Sequence, residues 1–161
     1  MNKFIVLLTM MTLGLFASVS MAATTEVKWE NPDDYRDVDA GEGHRAKFKA
    51  RVFADFEKHF TMLAKKLPEG QTLKIKVTDV DLAGDVHQSM RRIRIVKDLF
   101  FPRMTFSYQV VDADNREVSA GNVELKDMNF MMGGTGLRYN QDNLGYEKRM
   151  LDKWFRETFL K

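Results

Sequence analysis

Asp79 and Asp81 are the residues whose types and spacing first point to chemistry. They lie in the run TLKIKVTDVDLAGD, Thr72 to Asp85. On a strand, residues i and i+2 are about 6–7 Å apart, within the carboxylate separation that inverting glycosidases use. A hydrolase built on Asp79 or Asp81 with a nearby Arg or His is therefore one reading. A calcium loop is another, because Asp79, Asp81 and Gly84 match positions 1, 3 and 6 of an EF-hand. Position 5 is Ala83, however, and position 12 is Met90 where a bidentate Glu is required. Two ligands do not hold the ion.

The third reading is structural. Leu73, Ile75 and Val77 alternate with Lys74, Lys76 and Thr78, and then Val80 and Leu82 fall on the opposite parity. A β-bulge near Thr78–Asp79 returns Val80 and Leu82 to the core face and turns Asp79 and Asp81 outward. Downstream, Arg92 and Arg94 alternate with Ile93 and Ile95. Pairing the two segments as a hairpin sets acids against arginines across the strands, worth about 0.2–1 kcal/mol per pair. Arginines so placed keep both acids ionised, which counts against catalysis. This reading accounts for both segments and is the expectation carried forward.

Other chemistry finds less support. His44, His59 and His87 contain no i, i+4 pair for zinc, and His59 reads as packing at a helix edge. No Ser stands in a G-x-S-x-G elbow. Gly133-Gly134-Thr135-Gly136 lacks the Lys-Ser/Thr of a phosphate loop and reads as a turn. Met128, Met131 and Met132, with His87 and Met90, offer thioether and imidazole ligands suited to Cu(I). Met is also an adaptable core filler, and Met128–Met131 reads as a buried segment. No metal or cofactor is assigned. The chain has no Cys, which excludes thiolate chemistry and disulfides. The surface chosen as functional combines Asp79, Asp81, Arg92 and Arg94 with the loop carrying Gly133, Gly134 and Arg138.

The elements that position these residues follow from periodicity. Val27–Trp29 is a short extended start, and Asn31-Pro32-Asp33-Asp34 a turn. Asp37–Gly43 is a polar loop. His44–Leu67 carries Ala46, Ala50, Phe53, Phe56, Phe60, Leu63 and Leu67 on one helical face, and Pro68-Glu69-Gly70 ends it. Arg45, Lys47, Lys49 and Arg51 lie opposite that face, as a solvated surface or a contact for anionic head groups or an acidic partner. Met104–Val111 and Glu117–Leu125 form a hairpin around Asp112-Ala113-Asp114-Asn115. Asn143 is placed to cap a last helix with Tyr146, Met150, Leu151, Trp154, Phe155 and Phe159 on its stripe. The expected fold is α+β: an antiparallel sheet of about four strands, with a long N-terminal helix and a C-terminal helix on one face.

Met1–Lys3 is a basic start, Phe4–Ala17 an apolar run, and Ser20-Met21-Ala22 supplies small residues for cleavage. This is the layout of a secretory signal peptide cut after Ala22, leaving residues 23–161 as one α+β domain. The segment takes one positive charge from a formal +2. The near-neutral remainder does not fit a general nucleic-acid binder.

Four segments together carry a family resemblance: V-x-W-x-N-P-x-x-Y-x-D (Val27–Asp37), L-P-x-G-Q-T-L-x-I-x-V-T-D-V-D-L-A-G (Leu67–Gly84), R-I-V-K-D-L-F-F-P-R (Arg94–Arg103) and Y-E-K-R-M-L-D-K-W-F (Tyr146–Phe155). In this order the chain resembles the bacterial domain-of-unknown-function 3016 family of small exported proteins. The resemblance implies a periplasmic address and an α+β domain, and no activity or functional residue. The expected function is a non-enzymatic, partner- or ligand-binding domain of the cell envelope. The alternatives are the hydrolase on Asp79/Asp81 and a copper-handling protein.

Overall fold

The computed structural model describes residues 22–88, 91–132, 139 and 141–160. The elements run β1 (Thr24–Trp29), α1 (Arg45–Ala64), β2 (Thr72–Asp81), β3 (Asp85–Gln88), β4 (Arg92–Ile95), β5 (Arg103–Val111), β6 (Glu117–Lys126) and α2 (Gly145–Phe159). Four strands form one sheet in the order β1-β2-β5-β6, and β3 pairs with β4 in a separate two-stranded ribbon. The architecture is α+β.

Two features differ from expectation. The sheet is mixed, because β1 and β2 are parallel while β2, β5 and β6 are antiparallel. The long helix is also not the N-terminal element. It follows β1 and connects it to β2. The cause is geometric: a 20-residue helix spans about 30 Å and carries the chain back to the end of the sheet where β1 began, so β2 must run parallel to β1. The helix is shorter than read, since Lys65 to Leu67 continue as turns, with Leu67 N–H donating to Ala64 O at 2.8 Å.

Alternation decides the faces. Val27 and Trp29, then Leu73, Ile75 and Val77, then Met104, Phe106 and Val110 point toward the helices. Lys74, Lys76, Thr105 and Gln109 point the other way and are at least partly exposed. Val52, Phe56, Phe60 and Leu63 of α1 and Leu151 and Phe155 of α2 close the core. Trp29 stacks on Phe53 at 4.1 Å, and Phe106 meets Trp154 edge to face at 4.8 Å.

The expected bulge is present. The β2–β5 register shifts between Val77 and Asp79, so Val77 and Val80 are both fully buried and the two aspartates turn outward. The Val77 carbonyl accepts the Glu30 N–H at 2.9 Å and the buried Tyr35 hydroxyl at 3.0 Å. Two donors on one carbonyl hold the irregularity in place.

Candidate functional site

Asp79 and Asp81 do not meet Arg92 and Arg94 across a hairpin. Both edges of β2 are taken, by β1 and β5, and Asp37 extends the sheet beside Asp81. β4 therefore pairs with β3 instead. Asp79 lies 3.6 Å from Arg36, whose backbone N–H also donates to it at 2.9 Å. Asp81 lies 3.8 Å from both Arg36 and Arg103. Partial burial raises the Asp81 pKa, against the pull of those two arginines. Ion pairs this long and this accessible are worth about 0–1 kcal/mol.

The two arginines pair with the loop read only as polar. Arg92 reaches Asp39 at 3.0 Å. Asp39 is held below the usual carboxylate range, first by the Gly41 N–H it accepts and also by Arg92. Arg94 is mostly buried and uses its whole guanidinium. Nη2 donates to Asp37 Oδ1 and to the Asp39 carbonyl, both at 2.8 Å, Nε donates to the same carbonyl at 3.2 Å, and Nη1 donates to Gly84 O at 2.9 Å. It clamps three pieces of chain: the 37–39 loop, the turn after β2, and β4. Glycine permits the close approach. A Cβ on Gly84 (φ 87°) would lie 2.7 Å from Ile95 O, and one on Gly41 (φ 80°) 2.2 Å from Arg92 O. Gly133, Gly134 and Arg138 lie outside the described residues.

A cavity of about 380 Å³ opens beside this clamp. Its walls are Phe48, Arg51, Val52 and Asp55 of α1, Leu82 and Ala83 after β2, Arg94 and Val96, and Asn143, Leu144 and Glu147 at the start of α2. Glu147 is only 2% exposed. One carboxyl oxygen accepts the Ala83 N–H at 2.7 Å. The other, Oε2, has no hydrogen-bond partner among the described residues. Burial drives the Glu147 pKa up, against the Ala83 N–H, its own N–H and the Arg94 charge.

A second polar cluster joins the helices. His59 is fully buried and sits 3.2 Å from Asp152 Oδ1, while the Tyr139 hydroxyl donates to Asp152 Oδ2 at 2.7 Å. His59 is thus an interior residue, not a helix-edge one. Asp142, rather than Asn143, organises the entry to α2, accepting the Leu144 N–H at 2.9 Å and pairing with Lys148. Burial raises Asp142, but these donors outweigh it and hold its pKa low.

Glu147 was missed and His59 was placed only at the helix edge, yet each left a signal. Leu144, Glu147 and Leu151 follow the 3–4 spacing of a buried stripe, as do Phe56, His59 and Leu63. A polar residue at such a position is either paired in the core or part of a site. The methionines depart from expectation: Met128 is 63% and Met132 78% exposed, and Met131 is also exposed. Phe130 is the buried residue of that segment. Among the described residues no group of three or more His, Asp or Glu is placed to hold a metal ion.

A model of the family described as "Protein of unknown function (DUF3016)" matches residues 23–157. The chain belongs to this family. The curated proteins and the solved structures gave no match. For this DUF3016 member the geometry of its own side chains is therefore what speaks to function.

Proposed function

We propose that this DUF3016 chain is an exported, non-enzymatic binding domain of the cell envelope, with the cavity beside Glu147 as its ligand site. The observation that carries the reading is the division of labour among its acids. Asp37, Asp39, Asp79 and Asp81 are all engaged by arginines of the chain itself. Glu147 instead is buried in the wall of the cavity and held by the Ala83 N–H. Among the described residues the cavity walls carry no His, Ser, Thr, Lys or Tyr, so neither a histidine base nor a hydroxyl nucleophile among them stands beside Glu147. Mixed apolar walls with a few convergent polar groups are the usual make-up of a small-molecule site.

Export and cleavage after Ala22 are supported by the basic–apolar–small order of residues 1–22 and by a family match that begins at residue 23. Among the described residues no helix is long and apolar enough to cross a membrane. The test is osmotic-shock release from the producing cell with intact-mass measurement. A soluble species starting at Ala23 is expected; a species retaining Met1 in the inner-membrane fraction contradicts the proposal.

A further inference from the structure

We infer that the cavity beside Glu147 takes an anionic amphiphile, a single aliphatic chain ending in a carboxylate, with Arg51 and Asn143 receiving the head group. This deepens the reading of the cavity as the binding site and rests on it. Three observations on the walls select the class.

The first is which polar side chains on the walls the chain leaves open. Arg94 is committed to Asp37 and backbone carbonyls. Glu147 is buried and holds the Ala83 N–H. Asp55 faces Lys58 at 3.8 Å. The remaining two are Arg51 and Asn143, both exposed to solvent. Neither side chain makes an ion pair or a hydrogen bond among the described residues. Arg51 only leans over the Phe48 ring, 6.0 Å from its centroid. A guanidinium is a donor-only fork that matches a carboxylate, and an amide donates beside it. The second is charge. Lys47, one turn before Arg51 on α1, lines the adjoining hollow together with Arg51, His44 and Glu42. Lys47 also has no ion pair among the described residues. With Asp55 offset by Lys58, the mouth keeps a positive excess, which draws an anion and opposes an ammonium group. The third is the remaining surface. Phe48, Val52, Leu82, Val96 and Leu144 give the ligand body an apolar bed, on which each buried CH₂ adds to affinity. The volume of about 380 Å³ is that of a small-molecule site. An aliphatic carboxylate uses both the bed and the open donors; an uncharged chain leaves the Arg51 fork unused.

The test uses two probes of equal length, octanoate and octylammonium, titrated below their micelle concentrations into the isotope-labelled purified protein and followed by amide NMR. Octanoate is expected to shift the N–H signals of Arg51, Val52, Ala83 and Leu144, and octylammonium to bind at least about tenfold more weakly. Arg51→Met keeps the aliphatic stem at an exposed position and should lose octanoate binding by about tenfold or more, with Asn143→Ala losing less. Val96→Trp, at a half-exposed wall, should block the cavity in a folded protein. Sedimentation with phosphatidylglycerol vesicles separates a free acid from a bilayer lipid, and the protein should stay in the supernatant. Octylammonium binding as tightly as octanoate, or unchanged octanoate binding to Arg51→Met, overturns the ligand class while leaving the cavity as the site. Pelleting with the vesicles that Arg51→Met abolishes overturns the free acid as the ligand. Neither probe moving these signals, with no pelleting, overturns the cavity reading as well.

Discussion

Removal of the Arg94 guanidinium should be the most damaging single change on the surface of this protein. Arg94→Ala strands the Asp37 carboxylate, which is 18% exposed, and takes strong donors from the carbonyls of Asp39 and Gly84. A hydrogen bond to a charged group contributes about 1.5–3 kcal/mol and a neutral one about 1. One charged pair and two carbonyls give a loss of roughly 3–5 kcal/mol, in the range found when one partner of a buried pair is removed. At about 3–4 °C per kcal/mol for a chain of this size, the melting temperature should fall by roughly 10–15 °C. Arg94→Lys keeps the charge but not the fork and should lose about half as much. Urea denaturation with fluorescence of the two tryptophans reads all three proteins. An Arg94→Ala loss below about 1 kcal/mol would refute the clamp and return Arg94 to the ordinary surface pairs.

Other outcomes follow from the same geometry. Gly84→Ala and Gly41→Ala should each cost at least about 2 kcal/mol more than Gly43→Ala, because only the first two place a Cβ against backbone; thermal melts of the three compare them. Asp79→Asn and Asp81→Asn should each change stability by less than about 1 kcal/mol, read by the same melts. Tyr35→Phe removes the hydroxyl that holds the bulge carbonyl and should cost about 1 kcal/mol in urea. Burial pushes the Tyr35 phenol up to about 12, so alkaline titration at 295 nm should show a late-ionising tyrosine that this variant lacks. For Glu147 the folded protein binds the proton more tightly than the unfolded chain. Its stabilising contribution is complete below about pH 4.5 and is lost as pH rises toward the folded pKa, with a slope of about 1.4 kcal/mol per pH unit between the two values. Urea melts across pH should show this slope in the native protein, and Glu147→Gln should remove it.

Local patterns carried much of this fold. The parity switch in β2 announced its bulge, the 3–4 stripes marked α1 and α2, and the β5–β6 hairpin followed from its turn cluster. Pairing between distant segments was less legible. Nothing in TTEVKW states that β1 lies parallel to β2; that follows from where a 20-residue helix returns the chain. The RIRI strand offered its arginines to any acid, and the alternation of β2 made Asp79 and Asp81 the nearest match in sequence. In space the partners came from Asp37 and Asp39, in a segment that local pattern marks only as polar. The site was hidden for a related reason. Glu147 occupies a stripe position, but its worth depends on the Ala83 N–H brought from 64 residues away and on the cavity whose walls come from α1, the turn after β2 and β4.

The most direct test is a carbon-detected NMR titration of the Glu147 carboxyl. The account predicts that the Glu147 carboxyl titrates above the ordinary carboxylate range, because burial disfavours its charged form. Glu147 titrating in the ordinary carboxylate range would contradict it.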